Sequence, residues 1–269
     1  MAGKPTGLHA WKNAFLPNRP IDRTMFLAFA AAWAGLVLLL WIASPWATLP
    51  RPVEVWNALG SLWWTHGMGP ELFVTMQLIF HATLYTLILS LLLSYATVIG
   101  ALRPLVEAVS KLRFLGLTGL VVPFTLWTGG GYSLKVALLT FGMTTFFVTA
   151  MAQVVLEIPR ESYDHMRVMG ASEARIVWDV VIRGTLDRAL DVLRQNLAIG
   201  WTMITMVEGI SRAEGGLGAM ILNQNKYFKL AEVYAILFVI LFVGLVLDYL
   251  IGALTRILCP YAVLERARR

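Results

Sequence analysis

Charged residues divide this chain into long uncharged runs. Met25 to Ser44, Leu72 to Leu102, Phe114 to Leu134 and Val136 to Leu156 contain no Lys, Arg, Asp or Glu. A helix needs about 20 apolar residues to cross the hydrocarbon core of a bilayer. Lipid offers the backbone no hydrogen-bond partners, so such a run must bond to itself as a helix. Two further runs reach spanning length only by including one carboxyl group. Gln195 to Val207 meets Glu208 and continues to Ser211, and Val233 to Leu247 meets Asp248 and continues to Thr255. The pattern predicts an all-α polytopic membrane protein of about six transmembrane helices. A transmembrane domain over residues 25–258 is expected between an N-terminal tail, 1–24, and a C-terminal tail, 259–269.

Composition agrees. The chain is 58% hydrophobic and only 14% charged, where soluble domains carry about 25% charged residues. The net charge of +6 could suggest nucleic acid, but the basic residues fall between the apolar runs. Of 22 Lys and Arg, 17 lie on the side shared by the two termini of a six-span chain. Positive charge marks the cytoplasmic side, so both termini are expected in the cytoplasm, with an inner-membrane location and no nucleic-acid partner. The first run is longer than the core of a signal peptide and is expected to be a retained anchor. Cys259, the one cysteine, excludes an internal disulfide framework. The four His, at 9, 66, 81 and 165, are isolated from one another. No metal site and no catalytic set is therefore expected.

The loops then acquire sides. Val53 to Trp64 places Val53, Trp56, Leu59 and Trp63 near helical spacing, which predicts an interfacial helix on the external side. Gly129–Gly131 predicts a tight external turn. The third cytoplasmic loop, 157–194, is long and dense in both signs of charge, and loops of that length usually carry structure or work of their own. Ser162, His165, Val168 and Met169 predict a short helix that stops at Gly170. Ser172 is placed to cap a second helix, whose Ile176, Val177, Val180 and Val181 form an apolar stripe. A helix, glycine turn and helix below a membrane domain suits docking of a cytoplasmic partner. A loop that merely packs on its own bundle fits the same residues.

Here the chain resembles a known family. Ile158-Pro-Arg160, Tyr163 to Ser172 and Ile176 to Ile182 resemble the cytoplasmic loop of ABC importer permeases, whose pattern is Glu-Ala-Ala, three residues, Gly, nine residues and Ile-x-Leu-Pro. Asp164 stands at the Glu position, His165 and Met166 at the two Ala positions, and Gly170 at the glycine. Val180 and Ile182 replace Ile and Leu, and Arg183 stands where Pro is usual. Leu49 to Val55, Pro123, Trp127, Ile204-Thr-Met-Val-Glu208 and Gly216-Leu-Gly218 extend the likeness to the nitrate/sulfonate/taurine branch.

The resemblance implies the transmembrane domain of a type I importer with no cofactor of its own. ATP and Mg belong to two partner ATPase subunits, since this chain has no phosphate-binding loop. It also implies a second permease, identical or homologous, and a periplasmic or lipid-tethered binding protein that delivers a small solute. Asp164, His165, Met166, Arg167, Val168, Met169, Gly170, Ala171 and Ser172 are expected to couple to the ATPase. Glu208, Trp127, Met203 and His81 are candidates for the pathway or its gate. Glu208 alternatively pairs with Arg212 one helical turn on. Asp248 and His81 are expected to hydrogen-bond to neighbouring helices. The competing reading is a channel or membrane scaffold without an ATPase partner.

Overall fold

The computed structural model describes residues 21–46 and 48–259. Most of both expected tails, 1–20 and 260–269, therefore lies outside the described residues. Two units are distinguished, 1–56 and 57–269. The first contains helix α1, Arg23–Ile42, capped by Asp22, whose carboxylate accepts from the Arg23 N–H. No residue of α1 is buried, and its Phe26, Trp33 and Leu39 are exposed. An apolar helix with no polar face has lipid or another membrane helix as its solvent.

Helix α2, Pro52–Trp64, follows. It forms where Val53 to Trp64 predicts a helix, and Val53, Trp56, Trp63 and Trp64 are exposed. Then come α3, Met68–Ala96; α4, Arg103–Lys111; α5, Val121–Thr128; and α6, Gly131–Leu156. A short helix α7, Arg160–Val168, is followed by α8, Glu173–Ile176, which runs into a π-helical segment, Val177–Arg183. The described residues end in α9, Leu186–Ile210; α10, Leu217–Lys226; and α11, Leu230–Leu258.

Among the described residues four helices, α1, α3, α6 and α11, are long and apolar enough to cross a membrane. Helix α9 has the length but carries Asp187, Arg188, Asp191 and Arg194 in its first half, so only its second half is apolar. The run Phe114 to Leu134 is not one continuous span. It divides into 3-10 turns at Leu112–Phe114 and Leu117–Leu120, the short helix α5, and a turn at Gly129–Gly131 with three positive φ angles. The apolar piece Leu117–Thr128 reaches only about 20 Å at 1.5–2 Å per residue. Counting charges is blind to Gly116, Gly119 and the glycine turn, and these set the breaks.

Side-chain pairs fix the helix directions. His81 meets Tyr132 and Thr86 meets Thr140, so α3 and α6 run parallel. Thr75 meets Glu208, and a Cβ on Gly200 would touch Met143 Sδ at 2.6 Å, so α9 runs antiparallel to both. The Arg194 guanidinium makes a two-pronged ion pair with Asp248 on α11. Trp201 Nε1 donates to Ile240 O at 2.8 Å on the same two helices. Asp248 thus takes the helix–helix role expected of it.

Candidate functional site

At one end of the bundle lies the helix–turn–helix of α7 and α8. Glu161 in the first turn of α7 and His165 and Arg167 in its last match the polarity of the helix dipole. Gly170 ends it with φ +78°, a left-handed conformation that β-carbon-bearing residues enter only with strain. The Gly170 N–H donates to Arg167 O at 2.9 Å and the Ala171 N–H to Met166 O at 3.1 Å. These bonds satisfy carbonyls that the helix end leaves open. Ser172 occupies the N-cap position of α8, but its side chain makes no capping bond.

Charges inside the motif hold the turn closed. Arg167 donates to both carboxylate oxygens of Glu173, at 2.8 and 3.1 Å, and to Asp164 at 3.1 Å. The bond to Glu173 raises the Arg167 guanidinium above its ordinary value, and the bond from Arg167 holds the Glu173 carboxyl below its own. Arg175 and Arg183 both approach Asp179 at 3.5 Å. Burial pushes the Tyr163 phenol up, against the pull of Arg103.

With the charges paired internally, the outward tip is apolar. Val168 is 88% exposed and Met169 70%. Behind the tip the motif is anchored. Val181 and Ile176 are fully buried. Val181 joins Phe147, Met151 and Val155 of α6 and Ala189 and Val192 of α9 in one cluster, with Tyr163 and Val177 packed against it. The motif is therefore mechanically continuous with two long helices, because close-packed interiors transmit displacement.

At the opposite end a second polar cluster closes the bundle. Glu208 and Lys135 are both 0% exposed. Glu208 accepts from Thr75 Oγ1 at 2.7 Å and from the Gly218 N–H at 2.7 Å. Thr75 Oγ1 also accepts from the Leu217 N–H at 2.9 Å. Lys135 Nζ donates to Gly215 O at 2.8 Å, and Glu71 accepts from the Gly216 N–H. Helices α3, α6 and α9 thus grip the backbone of 215–218. Gly218 packs so closely that a Cβ would lie 2.6 Å from the Thr205 backbone. Among the described residues Arg212 makes no side-chain bond to Glu208, and the i+4 pair is replaced by Thr75 and Gly218.

The other candidates separate. His81 bonds through Nδ1 to the Tyr132 hydroxyl at 2.9 Å, and both line a largely apolar groove of about 800 Å³ with Tyr85, Phe124 and Trp127. Trp127 is 80% exposed. Met203 packs against Gly142. The sequence analysis missed Glu71, Thr75 and Lys135. Glu71 and Lys135 immediately precede the apolar runs that begin at Leu72 and Val136, and charges bounding neighbouring runs stand at similar depth, which is the signal the sequence offers for them.

Comparisons with known proteins bear on the family and the fold. Residues 49–260 match the family model described as binding-protein-dependent transport system inner membrane component. The taurine transport system permease protein TauC of Escherichia coli (strain K12) is 27% identical over 199 residues, 74% of this chain and 70% of that protein. A probable ABC transporter permease protein of Brucella abortus (strain 2308) is 26% identical over 246 residues, 90% of this chain and 95% of that protein. An inward-facing structure of the MetNI methionine ABC transporter aligns with a TM-score of 0.54 at 19% identity, over 70% of this chain and 94% of that one, a likeness of fold. The chain belongs to the binding-protein-dependent transport system inner membrane components, the permease subunits of ATP-driven importers.

Proposed function

We propose that residues Asp164 to Ser172 dock this permease into a groove of a cytoplasmic ATPase subunit, and that the movement is carried along α6 and α9 to the cluster around Glu208. The observation that carries the reading is the apolar tip, Val168 and Met169, exposed on a motif whose neighbouring charges are paired internally. Exposed apolar groups at the end of a rigid, charged element suit burial against a partner. ATP and Mg reside in the partner. Two ATPase subunits, a second permease and a binding protein complete the importer. The Glu208 cluster holds the outer loop, and His81 and Trp127 face the groove beside it. Alternating access then follows from rigid-body motion between two states. The Lys and Arg distribution supports a cytoplasmic position for both termini. The likeness to a taurine permease supports a small sulfonate or similar anion as the solute, selected mainly by the binding protein.

Affinity purification of the tagged chain in mild detergent, followed by mass spectrometry, tests the reading. An ATPase recovered in proportion to the permease, and lost when 164–172 is replaced by a Gly/Ser linker, supports docking. A folded permease recovered alone supports the channel or scaffold reading.

A further inference from the structure

Behind the docking tip lies a polar pocket of about 610 Å³. Its membrane-side wall is made by Thr97 and Val98, just past the end of α3, and by Val155 and Leu156 at the end of α6. Because α3 and α6 are apolar spans, the pocket sits where a bilayer gives way to headgroups. Arg103, Arg160, Tyr163 and Arg167 also line it, with Asp164 and Glu173.

The charges there are unequally engaged. Arg167 is committed to both carboxylates, Asp164 and Glu173. Arg103 is anchored through Nε to Thr97 O at 3.0 Å, which leaves the two terminal nitrogens of its fork. Arg160, among the described residues, has no ion pair. Two guanidinium groups without acidic partners therefore share one cavity, beside a half-buried tyrosine. Arginine forks match phosphate oxygens in pairs, and such charge-assisted bonds are among the stronger ones in proteins. Basic pockets between membrane helices at the headgroup level bind phosphate-bearing headgroups by the same chemistry.

We propose that this pocket binds a phosphate group, held by Arg103 and Arg160, at the rear of the docking motif. A ligand there bridges α4, through Arg103, to α7, through Arg160, and stiffens the element that receives the ATPase stroke. The phosphate comes either from an anionic lipid headgroup or from solution, and the two sources separate by experiment. The stiffening rests on the docking reading, whereas the phosphate binding rests on Arg103 and Arg160, which lie outside 164–172, so R103A/R160A and the 164–172 replacement test the two separately.

The test is hydrogen exchange of residues 160–176 in the permease, with the subunits that co-purify, in phosphatidylcholine nanodiscs. One arm adds phosphatidylglycerol to the discs. The other adds inorganic phosphate, against chloride at equal ionic strength. Protection in the first arm assigns a lipid, and in the second a soluble anion. The R103A/R160A variant is expected to need about tenfold more of the effective probe for the same protection, the loss of charge-assisted bonds. R103K/R160K is expected to recover part of it, and K111A/R113A, basic residues outside the pocket, to leave it unchanged. Protection that survives R103A/R160A overturns the proposal. So does an equal loss in K111A/R113A, which would mean general surface charge, and so does the absence of protection in both arms.

Discussion

Replacing Glu208 by alanine removes the centre of the polar cluster that grips residues 215–218. The Gly218 N–H loses its acceptor and the Thr75 hydroxyl its own, while Lys135, fully buried, keeps its bond to Gly215 O. Leaving a buried donor unpaired costs about 1–3 kcal/mol. With two buried donors left open at about 2 kcal/mol each, the total is about 4 kcal/mol. For a chain of this size that corresponds to about 10 °C in the unfolding temperature. E208Q keeps one acceptor oxygen and loses the charge, for about half the effect. Arg212→Ala, at an exposed side chain, is expected within about 0.5 kcal/mol of the parent. The assay is the fraction of monodisperse permease after a temperature series in one detergent. An E208A midpoint within about 2 °C of the parent, or an R212A loss equal to it, refutes the assignment of Thr75 and Gly218 as the partners of Glu208.

Other perturbations follow from the same geometry. Gly170→Pro cannot reach φ +78°, because proline fixes φ near −65°, and it lacks the N–H that bonds to Arg167 O. ATP-driven uptake is expected to fall to background while membrane insertion, read by protease accessibility, is kept. Gly218→Ala forces a Cβ against the Thr205 backbone and is expected to lower stability by about 2 kcal/mol. Gly60→Ala, with open space around it, is expected to show no loss in the same thermal series. Because the Glu173 carboxyl is held below its ordinary value, its pairing supports the turn at neutral pH and is lost as pH falls through that depressed value. Hydrogen exchange at Gly170 and Ala171 should accelerate there, and Arg167→Gln should show fast exchange at neutral pH already.

The apolar runs of α3, α6 and α11 were legible because a bilayer imposes a length on any helix that crosses it. The helix, Gly170 turn and second helix were legible too, since a left-handed glycine after an amphipathic turn is a local signal. The turn at Gly129–Gly131 was legible as a glycine cluster, but the earlier break in the third run, after Gly116, was not, because it changes backbone conformation without adding charge. The π-helical turn over Val177–Arg183 depends on how Val181 reaches the α6–α9 cluster, which no local pattern encodes. The partners of Glu208 lie on other helices, Thr75 at a separation of 133 residues. A carboxylate in an apolar run announced that a partner must exist, but its identity came only from the helix packing.

Docking through the apolar tip is the central claim, and a photo-crosslinking residue placed at Met169 tests it most directly. In native membranes, illumination is expected to join the permease to a cytoplasmic ATPase, with yield that changes when ATP is trapped. The same probe at exposed Trp64, at the opposite end, is expected to give no such product. A Met169 probe that reacts only with lipid or with its own chain, in membranes that still import the solute, would contradict the account.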